Sequence, residues 1–120
     1  MITLIQTSIQ IHNVLHIDDI SHNFQGSIKQ GYTLVAFQVP WCGHCKKLYP
    51  ILADISQITE FKQKVKIFEV NCVVSGEICY QEGIDSYPTL MLYKDGLLVN
   101  EYTGLRDKQK ILSWLAKQLN

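Results

Sequence analysis

Two cysteines three positions apart, Cys42 and Cys45, stand in the stretch Trp41-Cys42-Gly43-His44-Cys45. Before them Leu34 to Val39 is an apolar run, and after them, from Lys46 to Phe61, apolar residues fall at helical spacing. A strand therefore runs into a helix with both cysteines at the joint. Cysteines so spaced in the first turn of a helix can close a disulfide, and the unpaired amides and dipole of the helix favour a negative sulfur there. The thiolate, not the thiol, attacks disulfides, so the spacing predicts thiol–disulfide exchange. Cys42, accessible at the helix start, is the expected nucleophile, and Cys45, one turn further in, is expected to resolve the mixed disulfide. A proton on His44, or a donor on its ring, stabilises the Cys42 thiolate and does nothing comparable for the neutral disulfide. Each pKa unit is about 1.4 kcal/mol, which for a two-electron couple is on the order of 30 mV towards a more oxidising pair.

The elements that must hold this joint can be read in chain order. Met1 to Ile11 alternates loosely and is expected to be an extra edge strand or a loose arm. Val14-Leu15-His16-Ile17 reads as a short strand, with Asp18 or Asp19 capping a helix that Gly31 ends. Leu34 to Val39 lacks alternation except at Gln38, as suits a central strand covered on both faces. Leu48, Ile51, Leu52, Ile55 and Ile58 form the stripe of the next helix, which Pro50 should bend. Val65 to Val70 is the next strand, and Ser75 to Glu82 a short helix with Ser75 as cap and Gly83 after its end. Thr89 to Tyr93 and Leu97 to Tyr102 flank an Asp95-Gly96 turn. Asp107 caps a closing helix with Ile111, Leu112, Leu115 and Leu119 on its apolar face and Trp114 nearby. The order β, α, β, α, β, α, β, β, α predicts an α/β protein with a central mixed sheet and helices on both faces.

On Trp41-Cys42-Gly43-His44-Cys45, with Ile84-Asp85-Ser86-Tyr87-Pro88-Thr89 and Asp95-Gly96, the chain resembles the thioredoxin superfamily. The Gly43-His44 dipeptide resembles the catalytic domains of protein disulfide isomerases in particular, and the matches run from about Val14 to Leu119. The resemblance implies the thioredoxin fold, a redox-active disulfide between Cys42 and Cys45, and no metal or organic cofactor. It also implies a cis peptide bond between Tyr87 and Pro88, beside Cys42, whose preceding backbone pairs with substrate as an added strand. Trp41 either contacts substrate at that surface or packs in the core. Arg106 matches an arginine that in the isomerases swings towards the second cysteine, although a solvated loop arginine fits the sequence equally. Cys72 and Cys79 occur together in some isomerase-type domains and are expected as either a second disulfide or two buried thiols. A zinc site joining all four cysteines is disfavoured, because Cys72 and Cys79 are seven apart rather than in a short knuckle.

One departure from the family stands out. The buried acid usual six residues before the first cysteine is here Ala36, and the lysine usual on the neighbouring strand is Glu69, in Glu69-Val70-Asn71. Either proton transfer is impaired or Glu69 has taken over the acid's role.

With 120 residues, 47% of them hydrophobic, the chain is expected to form one thioredoxin-like domain over residues 1–120. Formal net charge is zero and no stretch carries five like charges, so neither nucleic acid nor an anionic membrane is an expected partner. No apolar run is long enough for a membrane span. The expected partners are cysteine-containing protein substrates and a thiol oxidase, a reductase or glutathione, with the chain itself a monomer. No secretory signal is visible at Met1 to Ser8, and Lys117 to Asn120 is not a retention signal. The default expectation is therefore the cytoplasm or a viral particle, with the endoplasmic reticulum lumen as the alternative. The function expected is protein disulfide isomerase-like exchange. Its rivals are a general reductase of the thioredoxin type and a peptide-holding module whose thiols turn over poorly.

Overall fold

The computed structural model describes residues 16–120. In chain order the elements are β1 (Asp18–Asp19), α1 (Phe24–Ser27), β2 (Tyr32–Gln38), α2 (Gly43–Ser56), α3 (Thr59–Lys62), β3 (Val65–Asn71), α4 (Gly76–Gln81), β4 (Thr89–Lys94), β5 (Leu97–Tyr102) and α5 (Lys108–Gln118). The sheet order is β1-β3-β2-β4-β5, with β1, β3 and β2 parallel and β4 and β5 antiparallel. This is the mixed sheet expected of the thioredoxin fold.

The unalternating apolar run of β2 is explained by its central place. Leu34 and Ala36 pack with Leu48, Leu52 and Ile55 of α2 and with Ile111 and Leu115 of α5. Val35, Phe37 and Val39 face the other way, against Phe24 of α1 and Cys79 of α4. Successive strand residues point to opposite faces, so one unbroken run serves two cores. The β2–β3 register sets Ala36 opposite Glu69 and Gln38 opposite Asn71. Ala36, Gln38 and Glu69 consequently share the α2 face.

The hairpin forms as predicted. Asp95 and Gly96 both have positive φ (51° and 86°), as a two-residue turn matched to strand twist requires. Asp95 also ties the turn to the start of β2, its Oδ1 accepting from the Gly31 amide at 2.7 Å and its own amide donating to the Gly31 carbonyl at 3.0 Å. Asp107 caps α5, its carboxylate accepting from the Lys110 amide at 2.8 Å.

Several boundaries differ from expectation. Among the described residues the first strand lies at Asp18–Asp19, and His16 and Ile17 precede it without belonging to it. Val14 and Leu15, like the Met1 to Ile11 arm, are outside the described residues. Neither aspartate caps α1, because Asp19 instead accepts from the amide and hydroxyl of Ser21. Helix α1 is over by Ser27, so Gly31 does not end it. Ser75 precedes α4 without a capping bond, its hydroxyl donating to the Ser21 carbonyl at 2.6 Å instead. The long helix starts at Gly43 and stops at Ser56, and extended backbone at Ile58 (φ −70°, ψ 124°) separates it from α3. Ile51 and Ile58 are only partly buried, and Cys45 and Ala53 join the buried stripe.

Candidate active site

At the end of β2 the chain turns through Val39 and Pro40 into α2, and Cys42 is the N-cap residue of that helix. Its Sγ accepts a hydrogen bond from the Cys45 amide at 3.1 Å, in the place a serine or aspartate oxygen usually takes. One free amide of the first turn, that of Cys45, is thus given to this sulfur. Cys42 and Cys45 are both free thiols, Cys42 half-buried and Cys45 buried. The Cys45 thiol is pushed up to about 11, chiefly by burial and secondly by its hydrogen bond with Cys42. A hydrogen bond from the Val39 backbone and the charge of Arg106 act in the opposite direction. Cys45 is therefore a neutral thiol near neutral pH, unable to attack until something takes its proton.

Two spaces adjoin Cys45. One is a small, partly open cavity of about 20 Å³ bordered by Ala36, Gln38, Cys45, Glu69 and Pro88 together with Tyr49 and aliphatic side chains. The other is a groove of about 290 Å³, open to solvent, formed by Gln38, Val39, Pro40, Cys45, Lys46, Tyr49 and Glu69. Glu69 borders both. Its Oε1 accepts from Gln38 Nε2 at 3.2 Å. Its carboxyl is raised above the ordinary carboxylate range, first by burial and then by the charge of Asp19, with His16 and the Gln38 hydrogen bond acting the other way. Glu69, on β3, and Cys45, on α2, thus line the same two spaces.

The other residues singled out in the sequence distribute as follows. The Tyr87–Pro88 peptide is cis, and Pro88 is buried against the cavity below Cys45. Tyr87 is partly exposed and Trp41 is 73% exposed, so core packing is not the role of Trp41. His44 and Arg106 are exposed, and Arg106 borders a surface concavity that also includes Pro88. A Cβ on Gly43 would meet nothing within 4 Å, so no steric demand requires glycine there. Cys72 and Cys79 are joined in a disulfide with Cα atoms 5.7 Å apart, which removes both from any zinc site. Among the described residues no cluster of three or more His, Cys, Asp or Glu is placed to hold a metal.

Gln38 and Tyr49 were not anticipated as site residues. The signal for Gln38 was present, as the one polar residue in an apolar central strand. Tyr49 carried none: its place depends on its hydroxyl accepting from the Ile17 amide at 3.2 Å and sharing a hydrogen bond with His16 Nδ1 at 3.1 Å, contacts over thirty residues away in sequence.

Residues 15–117 match the thioredoxin family model. The chain is 39% identical over 95 residues to a probable protein disulfide-isomerase ER-60 of Schistosoma mansoni, an alignment covering 78% of this chain and 20% of that one. It is 36% identical over 97 residues to protein disulfide-isomerase 5-1 of Arabidopsis thaliana, covering 79% of this chain and 66% of the relative. Among solved structures, the first two thioredoxin domains of Naumovozyma dairenensis Eps1p are 28% identical and superpose with a TM-score of 0.73, over 82% of this chain and 38% of that one. The chain thus spans between a fifth and two thirds of the length of these curated relatives. With its dithiol at the head of α2, the chain belongs to the thioredoxin family and is similar to domains of protein disulfide isomerases.

Proposed function

We propose that the chain, as a single thioredoxin-like domain, forms, reduces and rearranges disulfides in cysteine-containing proteins. The observation that carries this reading is the Cys42 sulfur serving as acceptor for the amide at the head of α2, with Cys45 buried one turn beneath. Cys42 attacks a substrate disulfide, or is itself attacked in the oxidised domain, and Cys45 resolves the mixed disulfide. His44, exposed next to Gly43, favours the thiolate and so an oxidising pair. The exposed ring of Trp41 and the partly exposed Tyr87 offer apolar contact on either side of Cys42, and the backbone before Pro88 offers an edge for an extended peptide. Arg106 contributes charge that favours the Cys45 thiolate. A thiol oxidase, a reductase or glutathione restores the pair, and the domain works without a metal or organic cofactor.

The compartment that suits this chemistry is an oxidising lumen. The Cys72–Cys79 disulfide and the kinship with protein disulfide isomerases both support it, and neither supports the cytoplasmic expectation. Among the described residues no helix is long and apolar enough to cross a membrane. The test is recovery of activity in a protein with scrambled disulfides, measured beside the redox potential of the Cys42–Cys45 pair. The expected result is rescue with a potential near the about −180 mV of protein disulfide isomerase. A potential near the about −270 mV of thioredoxin, without rescue, would make the domain a general reductase.

A further inference from the structure

We propose that Glu69 exchanges a proton with the Cys45 thiol through one water held in the small cavity that both residues line, and that Gln38 is the positioning residue that aims the carboxyl at it. This rests on the oxidoreductase reading and names the group that carries its proton.

Geometry supplies the first argument. Glu69 is the register partner of Ala36 on the neighbouring parallel strand, and strands so paired lie about 4.8 Å apart. Because only a methyl group projects from Ala36, space remains between Glu69 and Cys45. That space is the cavity of about 20 Å³, larger than the about 10–15 Å³ that one water needs. Of the residues that line it, Cys45, Glu69, Gln38 and Tyr49 carry polar groups able to partner a water, and the rest are apolar. Two to four polar partners are what a buried water requires.

The second argument is connection to solvent. The cavity and the open groove have Gln38, Cys45, Tyr49 and Glu69 in common, so Glu69 borders both the space beside Cys45 and the groove that opens to solvent. A proton taken on the cavity side can leave on the groove side. The groups that face Glu69 are Asp19 on β1, His16 just before it, Gln38 on β2, and Lys46 and Tyr49 on α2. Asp19, its register partner on β1, opposes its ionisation, while His16 and Gln38 favour it. The balance keeps the carboxyl above its ordinary range and so nearer to the pH at which a proton relay works best.

The step balances as follows. In the mixed disulfide, Cys45 gives its proton through the water to the Glu69 carboxylate, and its electron pair attacks Cys42 Sγ. The Cys42–Cys45 bond forms, the Cys42–substrate bond breaks, and the substrate sulfur leaves as a thiolate that takes a proton from solvent. Over the first attack and this step together, the domain is oxidised by two electrons and the substrate disulfide reduced by two. Glu69 then releases its proton to the groove. In the reverse direction the carboxylic acid protonates Cys45 as it leaves the disulfide.

The test uses the full chain as dithiol, mixed rapidly with oxidised glutathione. The first glutathione released reads the attack of Cys42, and the second reads Cys45. With Glu69→Gln the second release is expected to slow about tenfold or more near neutral pH, then to rise about tenfold per pH unit as solvent base takes over. The first release is the internal reference for fold and nucleophile. Gln38→Leu keeps the carboxyl but removes a donor that favours its ionised form, so the midpoint of the second-release profile should move to higher pH. A merely structural role for either residue would not separate the two releases or move a midpoint. Equal second releases in Glu69→Gln and the unmodified chain across the whole pH range would overturn the relay alone. Absence of any release from the unmodified chain would overturn the oxidoreductase reading and the relay with it.

Discussion

Cys42 and Cys45 differ by one turn of helix, and that turn divides their labour. Cys42 takes the first-turn amide bond and half faces solvent, whereas Cys45 is buried and holds its proton. Replacement of Cys42 by serine should therefore abolish exchange altogether. Cys45→Ser should still be attacked at Cys42 but should accumulate mixed disulfides, visible as substrate adducts on a non-reducing gel; turnover in Cys42→Ser would refute the assignment. His44→Pro removes the ring donor proposed to stabilise the Cys42 thiolate over the neutral disulfide, so the potential of the pair should fall by roughly tens of millivolts. Equilibration with glutathione measures it, and an unchanged or higher potential would deny His44 that role. These residues were legible because their chemistry is local: both thiols, the cap and the histidine lie within one turn. Glu69 was legible only as a departure from pattern. Gln38 and Tyr49 meet it from other elements, and nothing in their neighbouring sequence says that they do.

At the scale of elements, the signals that failed were those with a better partner elsewhere. Asp107 caps α5 as read, since its carboxylate is exposed and the Lys110 amide is its hydrogen-bond partner. Asp107→Ala should cost about 1 kcal/mol, read as an earlier urea midpoint with an unchanged slope. Asp19 and Ser75, read as caps, are both engaged by Ser21. That buried serine donates through its amide and hydroxyl to Asp19, accepts from the Asn71 amide at 2.9 Å on its hydroxyl, and accepts from the Ser75 hydroxyl on its carbonyl. One residue thereby links the β1 end and the β3 end through its hydroxyl and the head of α4 through its carbonyl. Ser21→Ala would leave the Asn71 amide without its partner, so a loss of about 1–3 kcal/mol is expected, more than the cap at Asp107. A loss no larger than for Asp107→Ala would show that water replaces the hydroxyl. Strands β2, β4 and β5 and the Asp95-Gly96 turn were readable because pattern and turn chemistry agree there, while a two-residue strand such as β1 carries too short a pattern to place.

For the molecule as a whole, the sheet order and the two-faced core follow from an apolar strand covered on both sides, and the pH dependence of stability follows from what that core encloses. Glu69 lies at the edge of the α2-side core with its carboxyl raised above the unfolded value, chiefly by burial. A group shifted in this direction holds its proton more tightly when folded. Its contribution to stability is fully present below the ordinary carboxylate pKa and is lost as pH rises through the raised folded value. Once ionised, Glu69 therefore weakens the fold. Glu69→Gln keeps the shape and a partner for Gln38 without the charge, so it should be more stable than the unmodified chain at neutral pH, by no more than about 1 kcal/mol because solvent in the groove screens a half-buried carboxylate. The gain, a few degrees in Tm, should shrink towards zero as the pH is lowered into the range where the carboxyl is protonated in both states. Calorimetry across pH checks this, and a Tm difference that did not change with pH would mean that the carboxyl titrates alike folded and unfolded. If stability rises while the Cys45 step slows, the same buried carboxyl weakens the fold and speeds the exchange, as expected of a group retained for its chemistry rather than for packing.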